Sequence, residues 1–292
     1  MTNSVSAINS ELLSLLACPD CRSDIVPPLH CSGCGRDFPI TEEGIPCLMP
    51  RASRVLPAQY ADPDYVAYHA LTEKDAADLY YSEKNWLFRS IHHSAHRTLD
   101  AWFRGRHRQG YAIDIGCGTG DHFLYANDLK KIIGVDSSIG SLRVLLRKFP
   151  SACVVQGDAY TLPFRQSAFD AAFSIYNLEH LWFLDDALKE VQRILLSDGS
   201  FYVGLPAEGG LAWTLGRKIS TERMYKKRYG FDYGRVMQIE HCNTAKKVID
   251  RCAAHFSSAR RTFFPLPLLP LISCNLTISL EYHMSKAQGD NI

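Results

Sequence analysis

Between residues 86 and 206 the chain alternates short apolar runs with amphipathic stretches. Runs near 111–115, 132–136, 152–156, 169–175 and 200–205 read as strands, and the segments between them as helices. Apolar strands joined by short loops predict a parallel sheet covered by helices on both faces. Ahead of the first strand, Phe88, Ile91, Ala95, Leu99 and Trp102 recur at helical spacing and predict a helix that caps this sheet. His92 and His96 lie one turn apart on it. With no third ligand nearby in sequence, they are expected on a solvated face. Downstream, Asn243 or Thr244 can cap a helix whose Ala245, Val248, Ile249, Cys252 and Phe256 form an apolar core stripe. Residues Ser257 to Phe264 and Asn275 to Met284 then read as two strands around a Pro-rich connection.

Two segments depart from the alternation. Pro206 to Cys242 carries Arg217, Lys218, Arg223, Lys226, Lys227, Arg228 and Arg235 interleaved with Tyr225, Tyr229, Phe231 and Tyr233. In α/β sheets ligands bind beyond the carboxyl ends of the strands, so an insertion at 206–242, after the fifth strand, is predicted to be a lid that roofs the pocket and reads the substrate. Cations among aromatics suit phosphate together with a base or sugar; a solvated charged helix is the plain alternative. Residues 51–85, polar and aromatic with early prolines, read as a linker and N-terminal cap.

Composition narrows the picture. A chain of 292 residues with 46% hydrophobic content suffices for one sizeable domain and a small module. A formal net charge of +1 supplies no overall basic field, which weighs against an extended nucleic-acid footprint without excluding a local patch. The longest apolar stretch, Phe263 to Ile272, is too short to span a bilayer and contains three prolines, so no transmembrane segment is expected.

The small module announces itself in residues 1–50, where Cys18-x2-Cys21 and Cys31-x2-Cys34 form two short knuckles. Each places two thiolates on one side of a tight turn, and together they close a tetrahedral shell, the pattern of structural Zn2+. Metal binding would stand in for a core that so few residues cannot build. Disulfides are the rival; no charged start with an apolar signal core precedes the pairs, so a reducing, cytoplasmic compartment is expected. Cys18-Pro-Asp-Cys21 also has the form of a redox dithiol, but the βαβ surroundings of such a motif are missing.

The candidate chemistry centres on Ala112-Ile-Asp-Ile-Gly-Cys-Gly-Thr-Gly120, a strand running into Gly116, Gly118 and Gly120 just after Asp114. Glycines there allow positive φ and let a ligand lie against free backbone N–H groups. Asp136 ends the second strand and Asp158 the third. A carboxylate at the second strand suits a ribose diol, because it offers two acceptor oxygens, and Asp158 suits an adenine amine. The third glycine follows the second by two residues instead of three, and no second Gly-rich crossover follows, which disfavours a dinucleotide.

These residues, with Leu162-Pro-Phe164, Phe169-Asp170, Tyr176-Asn-Leu-Glu-His180 and Arg193-Ile-Leu-Leu-Ser-Asp-Gly199, resemble the class I S-adenosylmethionine (SAM) methyltransferases. The resemblance implies a Rossmann-like seven-stranded sheet with helices on both faces over residues 86–292, and the closing two strands resemble its antiparallel end. It places the methionine part of SAM at Asp114, Gly116, Gly118 and Gly120, the ribose at Asp136, and the adenine at Asp158 and Ala159. Because these contacts all lie after residue 110, removing residues 1–50 is expected to leave SAM binding intact.

The stretch from Leu15 to Cys21, with Cys31 to Met49, resembles the small zinc-ribbon proteins that activate tRNA and release-factor methyltransferases. A knuckle ahead of a methyltransferase is also similar to bacterial large-subunit ribosomal RNA guanine methyltransferases. The run from Ile239 to Asn243 through the Pro-rich end resembles methyltransferases of bacterial surface-glycan synthesis. Glycan or another small-molecule acceptor is therefore favoured, RNA stays open, and the ribbon could instead recruit a partner protein. A hydroxyl acceptor needs a base; Tyr176, His180 and His241 are the candidate catalytic residues.

Overall fold

The computed structural model describes residues 9–52, 54–55, 57–68, 70, 86–106, 110–126, 131–223, 226–227, 230 and 232–285. A two-residue hairpin pairs β1 (Ile25–Val26) with β2 (His30–Cys31). The main sheet contains β3 (Ala112–Ile115), β4 (Ile132–Asp136), β5 (Cys153–Gln156), β6 (Phe169–Ile175), β7 (Leu195–Pro206), β8 (Phe256–Phe264) and β9 (Thr277–Met284). Its seven strands run in the order β5-β4-β3-β6-β7-β9-β8. The first five in that order are parallel, and β9 lies antiparallel between β7 and β8. This is the Rossmann-like sheet that the sequence predicts. The fifth strand starts earlier than expected, because Leu195 is buried and pairs with Phe169 across an irregularity.

Alternation along buried strands separates two apolar layers. Ile113, Ile115, Ile133 and Val135 face one side, where helices Leu184–Ile194 and Ala245–His255 pack. Ala112, Ile132, Phe173 and Tyr202 face the other, beneath the long helix α2 (Trp86–Arg104) through its Ala95 and Leu99. The predicted cap helix is thus in place. Thr244, not Asn243, caps the helix over 245–255, its hydroxyl accepting from Lys247 N at 3.3 Å. Asn243 is buried and donates to Leu178 O and Leu181 O at 3.0 and 2.7 Å, tying the loop after β6 to the start of this helix.

The cysteine module departs from the expectation that metal stands in for its core. Leu12, Leu16, Ile25, Leu29, Phe38 and Leu48 join the same apolar cluster as the strand and helix residues of the main sheet. Arg165 N donates to Leu15 O at 2.9 Å and Ala17 N to Pro163 O at 3.0 Å. Residues 46–48 run beside β5: Leu48 N donates to Gln156 O at 2.8 Å and Gln156 N to Pro46 O at 2.9 Å. An unpaired strand edge is thereby covered. Arg22 bridges the two parts, donating to Leu162 O at 2.8 Å and pairing with Glu190 at 3.0 Å. The physical reason is size: about forty residues cannot bury their own apolar side chains, so these are shared with the larger sheet.

Candidate cofactor and acceptor site

The turn after β3 has the backbone that its glycines imply. Gly116, Gly118 and Gly120 have φ of +73°, +51° and +86°. A Cβ on Gly116 would lie 2.3 Å from the Asn177 side chain, and one on Gly120 would lie 2.7 Å from Leu145, so both serve close packing as well as the turn. At Gly118 no atom would come within 4 Å of a Cβ: this glycine faces open space beside the strand ends, where a ligand can approach the backbone.

Three carboxylates surround that opening. Asp136 accepts from Gly118 N at 2.9 Å and from Ser138 N at 2.8 Å, one bond on each oxygen. Each oxygen keeps acceptor capacity for a further donor, so the carboxylate is held in place and still able to bind a diol. Asp158 is fixed by Tyr160 N at 2.9 Å, with Ala159 partly exposed beside it. Asp114 is fully buried; burial, with Asp136 and Asp121 nearby, pushes its carboxyl up to about 8. The residues thus fit a bound nucleoside with a cationic partner. Asp114 gains its charge most readily when a cation arrives.

A cavity of about 250 Å³ opens beside the ends of β6 and β7. Its walls include Tyr176, His180, Trp213, Arg217, Met237 and His241. The helices Leu211–Arg217 and Tyr233–Glu240 of the 206–242 segment supply Trp213, Arg217 and Met237 to these walls. Tyr176, at φ +56°, sits in the left-handed region that a bulky residue adopts only when its surroundings hold it there. Burial raises its phenol above the ordinary range.

Two charge relays flank the cavity. His180 Nδ1 lies 3.1 Å from Glu240 O and 3.7 Å from the Glu240 carboxylate, with Glu179 at 3.9 Å from Nε2. Burial works against its charge, but the Glu240 and Glu179 carboxylates prevail and raise the imidazolium to about 9. His180 is therefore a cation at neutral pH rather than the free base that its sequence position suggests. His241 Nδ1 meets Glu208 at 3.0 Å, and Trp213 Nε1 donates to the same oxygen. Glu179 is buried, and burial raises its carboxyl; one of its oxygens has no partner among the described residues.

The raised His180 carries a sign for stability. A histidine whose folded value exceeds the unfolded value near 6.5 stabilises the fold below about pH 6.5, and that contribution is lost as pH rises through about 9. The ligand-free protein is expected to lose melting temperature between those limits, and His180→Gln to flatten the slope. Thermal unfolding at stepped pH checks this; an unchanged slope in the variant would refute the pairing.

Several expectations change. His92 and His96 do not lie on a solvated face: His96 is 5% exposed, and His92 Nε2 lies 2.9 Å from Asp121. Helix α2 turns this side toward the glycine turn, which its spacing alone could not reveal. Arg217 pairs with Glu222 at 3.2 Å and Arg235 with Asp62, while Lys218, Arg223, Lys226 and Lys227 are exposed. Tyr225, Arg228, Tyr229 and Phe231 lie outside the described residues. Trp213, Met237, Glu208 and Glu240 were not foreseen as site residues, since nothing in their spacing marks them. At the other end of the chain, the four cysteine sulfurs lie within 4.8 Å of one another, with Cys18 to Cys34 at 3.8 Å and Cys21 to Cys31 at 3.4 Å. A tetrahedral ion with bonds of about 2.3 Å spaces its ligands about 3.8 Å apart, so this all-thiol set fits zinc without an open position. The sulfurs are too far apart for disulfides.

Comparison with known proteins agrees with this geometry. Residues 113–203 match a methyltransferase domain family. A sterol 4-C-methyltransferase of Caenorhabditis elegans is 35% identical over 100 residues, 32% of this chain and 30% of that protein. A ubiquinone/menaquinone biosynthesis C-methyltransferase of Campylobacter jejuni is 31% identical over 98 residues, 31% of this chain and 42% of that one. The matched segment spans under half of either relative. A Thermotoga maritima structure described as a SAM-dependent methyltransferase, possible histamine N-methyltransferase, shares the fold at TM-score 0.50 and 19% identity, covering 74% of this chain and 99% of its own. The family match places a methyltransferase domain at residues 113–203, and the structural likeness shows the shared fold. No described helix is long and apolar enough to cross a membrane.

Proposed function

We propose that this chain transfers the methyl group of SAM to a small molecule with a one- or two-ring body, bound in the cavity under residues 206–242. The cavity itself carries the acceptor reading: about 250 Å³ walled by Tyr176, Trp213 and Met237, with His180 and His241 as its polar edge. For scale, an apolar cavity of roughly 150 Å³ accepts benzene. One relative's name, a ubiquinone/menaquinone biosynthesis methyltransferase, also concerns an acceptor with a one- or two-ring head.

SAM supplies a methyl group already activated on sulfonium sulfur, so the protein mainly has to align an acceptor, an effect worth roughly 7 to 11 kcal/mol. Asp136 would hold the ribose hydroxyls and Asp158 with Ala159 the adenine, while Asp114 and the turn at 116–120 take the methionine part. Cationic His180 suits an acceptor oxygen carrying negative charge. His241, oriented by Glu208 at 3.0 Å, is then the candidate base. Cys18, Cys21, Cys31 and Cys34 would hold a zinc ion that shapes the module and performs no chemistry. The glycan reading rests on the resemblance of the run from Ile239 through the Pro-rich end, with the cations of 206–242 in keeping with it; of those cations, Arg217 and Arg235 are engaged with Glu222 and Asp62. RNA retains the support of the ribbon resemblance alone.

The test uses SAM with a labelled methyl group, offered with a small-molecule extract and separately with RNA. Label is expected in the small-molecule fraction. Met237→Trp, which fills the cavity, is expected to reduce transfer at least tenfold while leaving SAM affinity unchanged by calorimetry. Full transfer by that variant, or label found only in RNA, would remove the cavity as the acceptor site.

A further inference from the structure

One wall of the acceptor cavity adjoins a cluster that the methyl-transfer reading does not use. On α2, His92 and His96 are four residues apart and so project from one helix face. That face meets Asp121, the residue directly after the glycine turn. Donor atoms of His92, His96 and Asp121 all lie within 4.8 Å of one another. His92 Nε2 and Asp121 Oδ2 are 2.9 Å apart, close to the roughly 3.0 to 3.4 Å that two ligands of one ion with bonds of about 2.1 Å adopt.

A second observation points the same way. His96 is 5% exposed, and its Nδ1 has no hydrogen-bond partner among the described residues. Burying an imidazole nitrogen unpaired is costly, and the neighbouring rings offer it stacking but no bond: His96 stacks on His122 and Tyr125, 5.7 Å and 6.3 Å away between ring centres. A bound ion would compensate for the loss of water around this group.

We propose that His92, His96 and Asp121 bind a divalent first-row transition ion, distinct from the zinc held by the cysteines. Two imidazoles and one carboxylate suit zinc, iron(II), manganese or cobalt, and three protein ligands leave coordination positions for solvent or a ligand. His92 and Tyr176 both line the acceptor cavity, so the open positions face it. An acceptor oxygen could bind there; this role rests on the methyltransferase reading, whereas binding of the ion does not.

The full chain, stripped of metal and titrated with Co2+, tests the proposal without SAM or methyl transfer. The wild type is expected to bind two equivalents: one with the intense thiolate-to-cobalt charge-transfer bands of the cysteine site, the other with weak d–d bands only. His92→Asn and Asp121→Asn, both at partly exposed positions, should each keep the thiolate bands and lose the second equivalent. Cys31→Ser should do the reverse. Acetohydroxamate, a bidentate oxygen ligand, should shift the d–d bands of the second equivalent in the wild type. Saturation at one equivalent, or a second equivalent that survives in both histidine-site variants, overturns the site; d–d bands unmoved by acetohydroxamate overturn its open positions. Unchanged thermal transitions in the two variants show that any loss of metal is not loss of fold.

Discussion

Asp136→Ala is expected to weaken SAM binding by two orders of magnitude or more. In the proposed function the carboxylate at the end of β4 holds the ribose diol, and a hydrogen bond to a charged group contributes about 1.5 to 3 kcal/mol, so losing two such bonds gives at least a hundredfold. A second effect adds to the first. Asp136 also accepts from Gly118 N at 2.9 Å, fixing the turn that faces the opening, and alanine releases that amide. Asp136→Asn keeps an acceptor oxygen without the charge and should fall between the two. Calorimetry with SAM measures all three proteins, and an unchanged affinity in the alanine variant would remove Asp136 from the site.

Removing residues 1–50 should abolish the cooperative thermal transition, contrary to what the separate motifs suggest. Leu16 and Phe164 are each fully buried in the joint core, where their backbones pair, and the deletion would expose Phe164 together with the edge of β5. A single buried leucine shortened to alanine costs about 2 to 5 kcal/mol, against a total stability of about 5 to 15 kcal/mol for an ordinary domain. Losing the whole contact therefore exceeds what the sheet has to spare. Leu16→Ala, which leaves the cysteines intact, isolates packing from metal binding and should lower stability by about 2 to 5 kcal/mol in denaturant unfolding. A fragment 51–292 that melts like the whole chain and binds SAM would show the parts to be independent.

The sequence could be read where a local rule sufficed. Glycines two apart after an apolar strand specify a turn with positive φ, and carboxylates at or just beyond the ends of the next two strands come close together, because strand ends in a parallel sheet lie side by side. Apolar runs of strand length fix the sheet, and CxxC pairs fix the thiol cluster. Each depends on residues within one or two elements. His180 shows the limit: its place after β6 is legible, but its charge comes from Glu240, sixty residues away along the chain.

What the chain alone determined, then, is the alternation of strand and helix, the glycine turn with Asp136 and Asp158 around it, and the four thiols. These are consequences of periodicity and short-range spacing. Only the tertiary structure decided that the cysteine module shares its core with the sheet, that the histidine face of α2 meets Asp121, and that Trp213 and Met237 close a cavity beside His180 and His241. Those contacts join segments far apart in the chain, and their energetics depend on burial and on neighbouring charges, which no local pattern records.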